Sequence, residues 1–317
     1  MSHMIEIKGL TKKYGANYAV NDISFAVDKG EIVGFLGPNG AGKTTTMNIL
    51  TGYLSATSGE AKIAGFDILE NPMEAKKHIG FLPEHPPLYL DMTVKAYLGF
   101  VYDLKKCKLN KKEHIEEICE VLKISHVAKR PIAHLSKGYR QRVGIAQALI
   151  GNPDILILDE PTVGLDPKQI IEIRSLISSL GRKHTIILSS HILPEVQAVC
   201  DRVVIINKGQ IVADCKTNEL NVLTGERKLI AKITGNPDEV TGVVKSIPGV
   251  IMCESLGGTD GDANTYLIES NSDVDIRKTL FKKIADSNLF MIGLEPAGDN
   301  LEDVFIALVS KNEKGEA

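Results

Sequence analysis

Residues 37–44 read GPNGAGKT, placed between the apolar run EIVGFLG (Glu31–Gly37) and a segment with helical spacing. The octapeptide fits G-x-x-x-x-G-K-[ST], a pattern that carries weight where a strand runs in and a helix runs out, as here. Gly37, Gly40 and Gly42 let the backbone curl until successive N–H groups point at one centre, and the following helix start adds partial positive charge. A phosphate fits that centre. Lys43 then reaches the terminal phosphates and Thr44 offers a hydroxyl to Mg2+, while Asn39 and Thr45 join the nucleotide-contacting set. The plain alternative is a glycine-rich turn that carries a lysine by chance, and the strand-to-helix setting weighs against it.

Three further apolar runs flank the same chemistry: DILILDE (Asp154–Glu160), HTIILSS (His184–Ser190) and DRVVIIN (Asp201–Asn207). The first two are almost wholly apolar, as strands covered on both faces of a parallel sheet must be. Asp159 and Glu160 fall at a strand's carboxyl end, where open α/β sheets place their ligands. Asp159 is expected in the Mg2+ shell, and Glu160 is expected to accept a hydrogen bond from the attacking water. His191 closes the next strand and should emerge on the same edge, in reach of a γ-phosphate. Acids at a strand end often serve only as helix caps, but a phosphate loop demands a metal ligand.

The chain has 317 residues, 43% hydrophobic and 24% charged, enough for two globular domains. A formal net charge of -3 gives no support for broad electrostatic binding to nucleic acid, and no such partner is expected. No apolar run approaches a membrane span and no secretion signal opens the chain, so a cytoplasmic protein is expected. The opening MSHM reads as a leader from expression cloning, with folding expected to start near Ile5. Five scattered cysteines fit reduced thiols and form no metal spacing.

Between about Thr93 and Ile150 the strand pattern gives way to helical spacing, a helical insertion. Its last helix opens with LSKGYRQRV (Leu135–Val143), where Ser136 is a good N-cap. Lys137, Arg140 and Arg142 load that helix start with positive charge, and no carboxylate follows before Asp154. Such an end suits an anion, or is simply a solvated basic face. After Leu223 the order is strand (Lys228–Ile233), helix (Pro237–Ser246), two strands (Val250–Ser255, Asn264–Ile268), helix (Val274–Ala285), strand (Phe290–Glu295) and helix (Leu301–Val309). That order suggests a small ferredoxin-like α+β domain, its middle hairpin joined by a loop at Gly257–Gly261.

GPNGAGKT, LSKGY, ILILDEP, GLDP and His191, in this order and spacing, resemble the ATP-binding cassette of ABC transporters over about residues 5–223. The resemblance implies an α/β P-loop NTPase cassette with a helical subdomain at about 93–150, followed by an accessory domain at 224–317. It implies that Tyr14 stacks on adenine, that Asp166 of GLDP is the D-loop acid, and that Ser136 and Gly138 face the phosphates of a partner subunit's nucleotide. Glu84 stands where the family usually has a glutamine that contacts metal and water, and a carboxylate there still suits Mg2+. Lys137 and Tyr139 replace a glycine and the glutamine of the family's LSGGQ. LEDVF (Leu301–Phe305) resembles a motif of cassettes serving ABC-2-type exporters, and PEHPPLY resembles the gliding-motility subgroup. The expected function is ATP hydrolysis by a homodimer that sandwiches ATP and Mg2+ and drives a separate polytopic permease from the inner face of the membrane. The second reading is a soluble ABC ATPase acting on ribosomes or nucleic acid.

Overall fold

A computed structural model describes residues 3–217, 219, 226–260, 263–271 and 275–296. The chain divides into two compact units, Met1–Thr217 and Asn218–Ala317. In the first, β1 (His3–Tyr14) and β2 (Asn17–Asp28) form a hairpin, and β3 (Ile32–Leu36) leads into α1 (Lys43–Leu50). β4 (Ser58–Ile63) and β5 (Phe66–Asp67) extend the hairpin into the antiparallel order β2-β1-β4-β5. After α2 (Pro72–Lys77) and β6 (Ile79–Leu82) come α3 (Val94–Leu104), α4 (Lys111–Val121) and α5 (Lys137–Leu149). β7 (Ile155–Asp159), α6 (Pro167–Gly181), β8 (Thr185–Ser190), α7 (Leu193–Gln197), β9 (Arg202–Asn207) and β10 (Gln210–Lys216) complete the unit.

The second sheet of this unit has the order β10-β9-β3-β8-β7-β6, parallel except for the edge strand β10. Every residue of β3, β7 and β8 is buried, which explains their unbroken apolar runs. One core joins the two sheets: Ile5, Ile7, Phe25 and Ile63 from the antiparallel sheet meet Phe35, Ile157 and Ile187 from the parallel one, with Met47 of α1 between. Phe25 stacks on Phe35 at 5.4 Å between ring centroids. The crossover order brings the carboxyl ends of β3, β7 and β8 side by side, and that edge positions the site.

The helical insertion forms as three capped helices. The side chains of Thr93, Asn110 and Ser136 accept from backbone N–H groups at the starts of α3, α4 and α5. The ordered sheet begins at His3, two residues before Ile5: His3 Nδ1 lies 2.8 Å from Asp28 Oδ1, and Met4 packs on the core. Of the basic side chains in the first turns of α5, Arg142 is paired: it is buried, donating to Leu122 O and, at 2.6 Å, to Glu172 Oε2 of α6.

In the second unit, β11 (Glu226–Thr234), α8 (Pro237–Lys245), β12 (Val250–Asp260), β13 (Ala263–Asn271), α9 (Arg277–Asp286) and β14 (Met291–Pro296) form an antiparallel sheet of order β12-β13-β11-β14. Ala231, Ile233, Tyr266 and Ile268 of the sheet pack with Val240, Val244, Leu280 and Ile284 of the helices. The loop expected at Gly257–Gly261 is instead mostly strand: β12 runs on to Asp260, with a register shift between Ser255 and Thr259 where Gly257 takes a φ of 69°. The boundary at Leu223, the LEDVF motif and the expected helix Leu301–Val309 lie outside the described residues. Among the described residues no helix is long and apolar enough to cross a membrane.

Candidate nucleotide site

The loop between β3 and α1 curls as its glycines allow. Gly42 has a φ of 109°, and a Cβ there would meet Ala19 O at 2.4 Å, so no other residue fits between the loop and β2. Lys43 is the first residue of α1 and is buried, its Nζ donating back to Gly37 O at 2.8 Å and Pro38 O at 3.2 Å. The ammonium therefore lies inside the curl, 3.5 Å from Glu160 Oε1.

Asp159 ends β7 with one oxygen satisfied and one not. The Ser189 hydroxyl donates to Oδ1, whereas Oδ2 is buried without a partner. Burial pushes the Asp159 carboxyl above the usual carboxylate range, against the opposing pull of the nearby Ser189 and Thr44 hydroxyls. Glu160, 6% exposed, has a φ of 47°, a left-handed backbone uncommon for a non-glycine residue and typical of functional turns. Its N–H donates to Ser189 Oγ at 2.9 Å. His191 Nδ1 lies 3.0 Å from both Glu160 carboxylate oxygens, the geometry of a ring N–H shared between them.

Lys43, Glu160 and His191 line a cavity of about 350 Å3 together with Asn39, Gly40, Gly42, Thr44, Thr45 and Glu84, while Asp159 lines a second groove that shares Thr44 and Glu84. The orphaned Asp159 oxygen, the Thr44 hydroxyl and Glu84 fit a hard cation that completes its shell with phosphate oxygens. An oxygen donor set of this kind suits Mg2+ carried by a phosphate ligand.

Of the other expected residues, Gly37, Tyr14, Ser136, Gly138 and Asp166 do not line this cavity. Tyr14 ends β1 with its ring 52% exposed and Lys12 Nζ 5.3 Å from its centroid. Ser136 is exposed and caps α5, accepting from Tyr139 N at 3.5 Å. Gly138 is buried, and a Cβ there would meet the Gln169 side chain at 2.7 Å. Asp166 caps α6, accepting from Gln169 N at 2.9 Å.

The ABC transporter family matches residues 20–163. The bacitracin transport ATP-binding protein BcrA of Bacillus licheniformis is 34% identical over 320 residues, covering 98% of each chain. The chain belongs to the ABC transporter ATP-binding proteins. A dimeric structure of the bacterial ABC transporter cassette MJ0796 matches with 26% identity and a TM-score of 0.62, over 68% of this chain and 99% of that one. The same cassette in a post-hydrolysis state with ADP and Pi matches with a TM-score of 0.61 at the same identity and coverage. The protein is an ATP-binding ABC ATPase with the mixed α/β P-loop cassette fold.

Sequence reasoning did not single out Ser189, although this cassette uses its hydroxyl to hold both acids, donating to Asp159 and accepting from Glu160 N–H. The available signal was two serines ending an otherwise apolar strand, TIILSS. Glu172, which neutralises Arg142, stands thirty residues away in sequence and left no local signal.

Proposed function

We propose that this cassette hydrolyses ATP with Glu160 as general base, in a site completed by a second copy of the chain, to drive an exporter whose membrane subunit is separate. The observation that carries the reading is the grouping of buried Lys43 and Glu160 with His191 within 3.5 Å contacts on one sheet edge. Lys43 is placed to neutralise charge on the terminal phosphates, and Glu160 to accept the proton of an attacking water. His191 orients Glu160 through Nδ1, and its second ring nitrogen, when protonated, would donate to a phosphate oxygen. Mg2+, held by Thr44 and Asp159 with Glu84 nearby, would supply charge neutralisation on the phosphates.

Ser136, Gly138 and Asp166 lie off this cavity, which supports their use by a partner subunit. A second groove, of about 810 Å3, runs from Thr44, Glu84 and Asp159 to the exposed side chains of Tyr89, Phe100 and Leu104. Apolar surface that ends on the metal-side acids suits a membrane subunit that must sense the nucleotide. The cassette then works at the inner face of the cell membrane. The full-length relation to a transport ATP-binding protein favours this reading over a ribosome- or nucleic-acid-directed one.

Glu160→Gln tests the assignment. It should keep ATP binding, lower turnover by about 100-fold or more, and elute as a dimer in MgATP on gel filtration. Wild-type turnover from a chain that stays monomeric would remove both the base and the sandwich.

A further inference from the structure

Thr162 follows Glu160 by two residues and Glu195 follows His191 by four. The two side chains meet: the Thr162 hydroxyl donates to Glu195 Oε2, and both residues are buried. The segments leaving β7 and β8 are therefore joined twice, once by Glu160 with His191 and once by Thr162 with Glu195. The other Glu195 oxygen, Oε1, lies 3.7 Å from Arg174 Nη2 on α6.

A carboxylate at 5% exposure is costly to bury, and a loose ion pair with one hydroxyl returns little stability. Its value lies in geometry. α7 spans only five residues, too few to hold its place by its own hydrogen bonds. Buried Leu193 and Val196 seat its apolar side, and Glu195 seats its polar side. Two turns of α6 also reach α5, through Gln169 beside Gly138 and Glu172 bonded to Arg142. One helix thus touches the LSKGY helix and the carboxylate that fixes the His191 segment.

We propose that Glu195 is a positioning residue for hydrolysis: held by Thr162 and Arg174, it sets the reach of His191 to Glu160 and ties that reach to α6. The proposal rests on Glu160 being the base.

The test is MgATP turnover of the full chain, with single-turnover assays of labelled ATP for slow variants, beside thermal midpoints. Thr162→Val removes the donor and should lower kcat about tenfold, with KM for ATP within about twofold and the midpoint lowered by a few degrees as the buried carboxylate loses a partner. Thr162→Ser restores the donor and should return kcat to within about twofold of wild type. Because the effect passes through His191, Thr162→Val should lower the residual rate of His191→Ala no further. Wild-type kcat in Thr162→Val beside an inactive Glu160→Gln overturns the clamp and leaves the base standing. Independent losses in the double variant, or no rescue by serine, also overturn it. Normal turnover in Glu160→Gln removes the base, and the clamp falls with it.

Discussion

Around Gly37–Thr44 the polar groups bind one another, whereas Ser136 near Gly138 is exposed and caps its own helix. Lys43, Asp159, Glu160 and Ser189 are all buried and bind one another across three strand ends. Ser136 lies exposed at a helix start, and the basic side chain deeper in that helix, Arg142, is spent on Glu172. A preorganised pocket thus contrasts with a helix start that offers a hydroxyl and N–H dipoles away from it. In the proposed two-copy site the pocket is the half prepared to hold phosphate and the helix start the half that closes on it.

The largest effect should come from the prepared half. Lys43→Ala removes the ammonium from the loop's centre and should weaken ATP binding by about tenfold or more, read by equilibrium titration with a fluorescent nucleotide. Unchanged affinity would mean that the phosphates lie elsewhere.

Asp159→Asn acts on the same half in two directions. Burial raises the Asp159 pKa, so in the folded state this group holds its proton to higher pH than in the unfolded chain. Its contribution to stability therefore falls as pH rises through that window, and at neutral pH the ionised form is a burden. The asparagine variant should melt no lower than wild type without Mg2+, while losing Mg2+-dependent turnover. A lower midpoint together with intact Mg2+ dependence would show a structural acid. In the wild type, Mg2+ affinity should decline on acidification at a pH above the ordinary aspartate range.

Gly138→Ala sharpens the contrast with the smallest change. Alanine suits a helix better by about 1 kcal/mol, and the Gln169 side chain has only to rotate away, so stability should move by no more than about 1 kcal/mol. Turnover should fall beyond that allowance because the added methyl meets a partner's nucleotide. Equal activity in the variant would place that nucleotide at a distance from α5.

Much of the prepared half was legible because it is local. A strand, eight residues and a helix start define the phosphate loop, and unbroken apolar runs announce buried parallel strands. The helix Lys137–Leu149 was readable from its Ser136 cap. The antiparallel sheet was not, because register shifts between Ile7 and Leu10, and again between Leu10 and Lys12, break the period-two alternation of β1. Non-local pairs were hidden for a different reason. Arg142 with Glu172, Ser189 with Asp159, and Thr162 with Glu195 each join segments about thirty residues apart, and only the fold brings them together.

The central claim is that the two halves meet across two subunits, and complementation measures it most directly. Lys43→Ala spoils the phosphate loop and Ser136→Arg spoils the helix start, so in a mixed dimer one composite site carries both defects and the other carries none. Each variant alone should be inactive, and MgATP turnover should appear in the mixture at a fraction of the wild-type rate. Normal hydrolysis by Ser136→Arg alone, or a dead mixture in which mixed dimers are shown to form, would contradict the account.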